Sequence, residues 1–156
     1  MTKVADSPLL GVYTKLVAGC TFLLLLAGGM VTSTGSGLAV PDWPLSFGRV
    51  MPAMEGGVLY EHGHRMVATF VGALIVVEAL WLWRAEPRRW VRMLGWIALG
   101  GVIVQGILGG LTVLLGLPDP VSVSHAALAE IVFGITVTIA VARSRSWLAG
   151  GPAAAL

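Results

Sequence analysis

The run Glu61-His62-Gly63-His64-Arg65 places two imidazoles, a carboxylate and a guanidinium where a strongly apolar segment begins. A third histidine, His125, stands at the matching point of a later apolar segment. Imidazole is a metal ligand and a proton carrier, and an ionisable group at membrane depth is expensive unless it is used. His64 lies 20 residues before Arg84, and His125 lies 18 before Arg143. At helical rise both then sit roughly 27–30 Å from the same inner boundary. Two imidazoles at matched depth suit one metal held from opposite sides. Iron in a haem plane asks for that pair of axial ligands. Zinc would need further N, S or O ligands nearby, and copper is compatible with the residue types.

The neighbours of His64 have roles of their own. Glu61 is three residues earlier, on the same helical face. It either steadies the first turn against the helix dipole or places a charge beside a bound cofactor, where it can polarise water or stabilise a developing cation. Arg65 either pairs with Glu61 or meets an anionic group such as a propionate. His62 is two residues from His64 and faces elsewhere, so it reads as a loop or interface residue.

These side chains need elements to hold them. The chain has 156 residues, 56% hydrophobic and 12% charged, with a net charge of +2. A soluble domain carries about 25% charged residues. The composition therefore describes an integral membrane protein with no room for a separate soluble domain. Its basic residues flank apolar runs, which argues for membrane orientation and against nucleic acid as a partner. A single cysteine, Cys20, excludes an internal disulfide and a cysteine-based zinc site. Val17-Ala18-Gly19-Cys20 mimics a lipoprotein cleavage box, but Lys15 interrupts the apolar stretch before it, so an uncleaved first helix is expected.

Four runs are long enough to cross a bilayer: Leu16–Thr32, Met66–Trp83, Met93–Leu117 and Ala126–Ala142. The expected fold class is all-α, an integral membrane four-helix bundle made of two similar helical hairpins. Residues 1–15 form a cytoplasmic N-terminal segment. Residues 16–145 form the transmembrane domain, with an outer loop over 33–60 rich in Gly and Pro. Residues 146–156 form a cytoplasmic tail. The loop, with Trp43 and Phe47, suits a structured lid on the membrane surface. Lys3, Lys15, Arg84, Arg88, Arg89, Arg92, Arg143 and Arg145 fall on one side, which the positive-inside rule makes the cytoplasm. A multi-pass protein of the cell membrane with both termini inside follows. Glu78 is expected to meet the arginines of the inner loop. Gln105 and Glu130 are expected to bond between helices.

A repeat supports the two-hairpin reading. Gly28-Gly29-Met30-Val31-Thr32, followed by Gly37-Leu38, resembles Gly109-Gly110-Leu111-Thr112-Val113, followed by Gly116-Leu117. Each hairpin then supplies one histidine at the start of its second helix, about a pseudo-two-fold axis along the membrane normal.

The residues also resemble a known family. Thr34-Gly35-Ser36-Gly37-Leu38 with Pro41-Asp42-Trp43-Pro44-Leu45 resembles the first outer loop of the haem A synthases. Glu61-x-x-His64-Arg65 resembles their second-helix motif. Gln105-Gly106-x-Leu108-Gly109-Gly110-x-Thr112-Val113 and Ser124-His125-Ala126 resemble their third and fourth helices. The resemblance implies that His64 and His125 ligate haem iron. It implies that Glu61 assists oxidation of the C8 methyl of haem O to the formyl group of haem A, with oxygen from water, for terminal oxidase assembly. Bound haem would be haem b, haem O or haem A. Implied partners are haem O, membrane lipid, haem O synthase and oxidase assembly proteins.

Two departures matter. Typical members have eight helices in two halves, one thought to carry the substrate haem and the other a haem b. This chain matches one half, so a homo-oligomer or a second half-length subunit is expected. Many bacterial members also carry a cysteine pair in the outer loop, where Val40 and Ser46 stand here. The loop is then expected to be held by packing alone. The alternative function is a non-catalytic bis-histidine haem protein, either a b-type electron carrier or a haem-handling assembly factor.

Overall fold

A computed structural model describes residues 7–150. It contains α1 (Pro8–Ser33), α2 (Gly57–Ala85), α3 (Arg89–Leu114), α4 (Asp119–Ala142) and a short α5 (Arg145–Leu148). All four long helices are long and apolar enough to cross a membrane. The first residues of the expected N-terminal segment and the last of the expected tail lie outside the described residues; α5 occupies the start of that tail.

The helices begin earlier than the apolar runs do. In α1 the Ser7 hydroxyl accepts from the Leu10 N–H at 3.4 Å, and Pro8 occupies the first turn, where a missing N–H does no harm. In α4 the same logic admits Pro120. The Pro118-Asp119-Pro120 stretch is therefore the start of a helix, and His125 lies two turns inside it. Helix α2 begins at Gly57, so Glu61, His62, His64 and Arg65 all sit within its first turns. Polar residues at a helix start are compatible with helix, so hydropathy alone places these boundaries too late.

The repeat is real in the backbone. Helix α1 ends with N–H bonds from Thr34 to the Met30 carbonyl, from Gly35 to Thr32 and from Ser36 to Val31. Helix α3 ends with Leu115 to Leu111, Gly116 to Val113 and Leu117 to Thr112, the same pattern 81 positions later. Gly35 at φ +64° and Gly116 at φ +72° make the left-handed turn that glycine tolerates best. The counterpart of Gly116 is therefore Gly35 and not Gly37.

The helices pack as a ring: α1 against α2 and α4, α3 against α2 and α4. Helices α2 and α4, which carry the histidines, thus stand diagonally across the bundle. Two apolar clusters stack along its axis. Leu10, Leu82, Val91, Ile139 and Ala142 form the inner one, and Val17, Val71, Ile75, Ala98 and Val132 the outer one.

The inner end is tied by one carboxylate. Glu86 accepts from Arg88 Nε at 2.7 Å and from Arg143 at 2.9 Å. Arg88 also donates to the Ala142 carbonyl, and Arg143 to that of Ser7. Burial works to raise the Glu86 pKa, but the bonds from Arg88 and Arg143 outweigh it and hold the carboxyl below its ordinary value. The inner-loop arginines were expected to meet Glu78. Of these Arg88 meets Glu86 instead, while helical phase turns Glu78 into the bundle, where it has no partner.

Candidate haem site

His64 and His125 are both half-buried at the outer end of the bundle. Each ring lies against a glycine of its own hairpin's first helix. A Cβ on Gly28 would stand 3.2 Å from His64 Cε1, and one on Gly109 would stand 3.3 Å from His125 Cε1. Gly28 and Gly109 occupy equivalent repeat positions, so the two rings are seated alike. The Nδ1 atom of each is buried with no hydrogen-bond partner. Buried polar atoms are rarely left so, and an orphan calls for an explanation.

The environment also narrows the choice of metal. Among the described residues no group of three or more His, Cys, Asp or Glu gathers in one place. A zinc ion would lack its remaining protein ligands. A porphyrin brings four nitrogens of its own and needs only axial ligands, so the two glycine-seated imidazoles fit haem.

Around His64 a polar network holds the outer loop. Glu61 is buried; its Oε2 accepts from the Val40 N–H at 2.7 Å and its Oε1 from Arg65. Arg65 further donates to the carbonyls of Asp42 (2.7 Å), Leu45 (3.0 Å) and Val40 (3.2 Å). Asp42 in turn accepts from the N–H groups of Phe47 and Gly48, which hold its carboxyl below the usual range. His62 is buried too, with Nδ1 2.7 Å from the Ser46 hydroxyl. Ser46 pairs with Arg49 through both backbone bonds. The loop is therefore held by hydrogen bonds and an ion pair as well as by packing. The two positions compared with a cysteine pair, Val40 and Ser46, are fully buried anchor points of that network.

The loop also reaches the second hairpin. The Trp43 ring lies on Gly110, where a Cβ would come within 2.8 Å of the indole. Gly110 follows the glycine that seats His125, so Trp43 sits at the edge of the histidine site. Three features were not read from the sequence: the two histidine seats, the Trp43 contact and the Ser46–His62 bond. The repeat carried a signal for the first, since both glycines lie in the matched segments. The other two come from parts of the chain 16 or more residues apart, and no spacing rule reveals them. Gln105 Oε1 is buried without a partner, while its backbone carbonyl lies beside the His125 ring. Glu130 is exposed and faces away from its own bundle, contrary to the interhelical bond expected of it within this chain.

Comparison with known proteins shows the family. The family model COX15-CtaA, cytochrome oxidase assembly protein, matches residues 11–150. A heme A synthase of Alkalihalophilus pseudofirmus is 31% identical over 137 residues, covering 85% of this chain and 46% of that protein. One of Shouchella clausii is 35% identical over 133 residues, covering 83% and 43%. One of Halalkalibacterium halodurans is 36% identical over 119 residues, covering 73% and 37%. The chain thus spans about half the length, or less, of these curated relatives. No solved structure matches it. A four-helix membrane bundle with two equivalently seated histidines, matched by the family model over almost its whole length, belongs to the COX15-CtaA family of cytochrome oxidase assembly proteins.

Proposed function

We propose that this chain is a haem A synthase-type oxidoreductase, acting on haem O in the cell membrane. The observation that carries the reading is the pair His64 and His125, each on a glycine seat, each with an orphaned Nδ1, on diagonally opposed helices. These two residues would be the axial ligands of one haem. Bound there, haem supplies the redox iron and, as haem O, the C8 methyl that is oxidised. Net conversion of methyl to formyl adds one oxygen from water and releases four protons and four electrons, the electrons passing through the iron to an external oxidant, a membrane electron acceptor or dioxygen.

The chain's own groups have separate tasks. Glu61 presents a carboxylate on the face of α2 that carries His64, where negative charge favours a cation developing on the methyl carbon. Val40 and Arg65 fix that carboxylate from two sides. Arg65 also pins the loop carbonyls, so its part in cofactor binding is to hold the lid in place, with a propionate as a further partner for its charge. Seven of the described basic residues lie at the inner end by chain order, against Arg49 and Arg65 at the other, which supports cytoplasmic termini. A second copy or a second four-helix subunit would provide a further haem site. The outward-facing Glu130, midway along α4, offers it a polar contact in the bilayer.

The test is expression with a source of haem O, followed by an absorption spectrum and extraction of the porphyrin. The expected result is bound haem and a formyl product, seen as a red-shifted pyridine haemochrome. Glu61→Ala should keep haem and lose the product. A colourless protein overturns haem binding; bound haem that is never modified overturns the enzyme and leaves the electron-carrier class.

A further inference from the structure

Glu78 is a buried acid that the haem site does not use. It lies 14 residues further along α2 than His64, about 20 Å away. It is fully buried, and neither carboxylate oxygen has a hydrogen-bond partner. Its level in the bundle is defined by register. The buried positions between the two apolar clusters are Thr14 in α1, Glu78 and Ala79 in α2, Gly95 in α3 and Thr136 in α4. A polar layer therefore lies between two apolar ones.

Every polar side chain offered to that layer is an acceptor. The Thr14 hydroxyl already donates to the Gly11 carbonyl at 3.2 Å, and that of Thr136 to Phe133 at 2.8 Å. On α1, Tyr13 donates to the Leu74 carbonyl at 2.9 Å, and Lys15, next to Thr14, is exposed. Gly95 brings no side chain, and a Cβ there would meet Leu82 at 3.0 Å. Helix α3 has no titratable residue beyond Arg92, and α4 has none between Glu130 and its end at Ala142. Among the described residues the layer thus has lone pairs and no free donors, and no cation faces it. A metal ion would find one carboxylate only, well short of its usual oxygen shell. What completes such a layer is a species made of donors: water, with one proton on the carboxyl.

We propose that Glu78, with Thr14 and Thr136, is an internal water- and proton-binding site in the inner half of the bundle, separate from the haem site. The outer apolar cluster, Val17, Val71, Ile75, Ala98 and Val132, stands between the two, and the inner cluster, Leu10, Leu82, Val91, Ile139 and Ala142, stands between the site and the inner surface, so the site exchanges with bulk water slowly, through local opening of the bundle. This inference does not depend on haem chemistry and holds for the colourless protein as well.

Infrared difference spectroscopy on the purified full chain tests it. Wild type minus Glu78→Gln should show the C=O band of an un-ionised carboxyl. That band should move in D2O, because water reaches it. Thr14→Val and Thr136→Val keep Glu78 and should each shift the band's frequency. A difference spectrum with no such band, or a band unmoved after prolonged D2O exchange, overturns the proposal. If Glu78→Gln does not fold, the threonine variants decide alone: an unshifted carboxyl band in both overturns it.

Discussion

The Glu61–Arg65 ion pair ties the outer loop to α2, and under the proposed function it serves the chemistry as well. Both of Glu61's oxygens are engaged, so its charge is fixed in direction. The Ser46 hydroxyl has a smaller reach: it meets His62 Nδ1 at 2.7 Å and accepts a long contact from Arg65 at 3.5 Å. Ser46→Ala leaves a second His62 nitrogen without a partner, since Nε2 already lacks one. An unsatisfied buried group costs about 1–3 kcal/mol, so thermal stability should fall by that order while the haem spectrum stays unchanged. The glycine seats should behave differently. Gly28→Leu and Gly109→Leu drive a branched side chain at an imidazole only 3.2 or 3.3 Å from the added Cβ. Both should displace a ligand, and the absorption spectrum should then report haem loss or a high-spin state to the same degree in each. A large effect in one variant alone would argue against equivalent ligands.

At the scale of elements, the outer loop is the part that joins the two hairpins above the site. Arg65 grips its backbone at Val40, Asp42 and Leu45, on both sides of Trp43, and Trp43 rests on α3. The loop is braced from α2 and leans on the helix that seats His125. Gly110→Ala places a methyl 2.8 Å from a rigid indole, so Trp43 must move. The helices themselves should survive, since alanine is a better helix former than glycine. The expected outcome is faster protease cleavage within residues 40–50 and altered tryptophan fluorescence, with unchanged far-UV circular dichroism. Unchanged cleavage would mean that the contacts from α2 hold the loop without help from Trp43.

For the whole molecule, stability concentrates at the inner end. The Arg143 and Glu86 side chains are 1% and 0% exposed, and the pair links α1, α4 and the α2–α3 connection. Removing one partner of a buried pair costs about 3–5 kcal/mol, so Arg143→Met should lower the melting temperature strongly. Acid should act on the same carboxyl. Its native pKa is depressed, so the stability it contributes is complete above the ordinary glutamate value of about 4.3. That stability is lost as the pH falls from there through the lower native value. Thermal melts over this range should show the loss in wild type and a smaller slope in Arg143→Met. Oligomerisation belongs to this scale too. An exposed carboxyl midway along a membrane helix is costly against lipid, so Glu130→Leu should shift the purified protein toward smaller assemblies, read by light scattering in detergent.

Much of this was visible along the chain. Apolar run length and the placement of basic residues are one-dimensional properties, and they were enough for four helices, two hairpins and the histidine pair. The family motifs singled out Glu61 and Arg65 for the same reason: their meaning lies in spacing. Helix starts were missed by several residues because a capping serine or a first-turn proline is polar or rigid yet helical. The roles of Glu78 and Glu130 were misread, and Glu86 was passed over, because a charge counted along the chain has no direction. Helical phase turned Glu78 inward and Glu130 outward, and closure of the ring brought Glu86 to Arg143, 57 positions away. Which partner a side chain finds depends on where its neighbours' backbones stand, and only the packed bundle sets that.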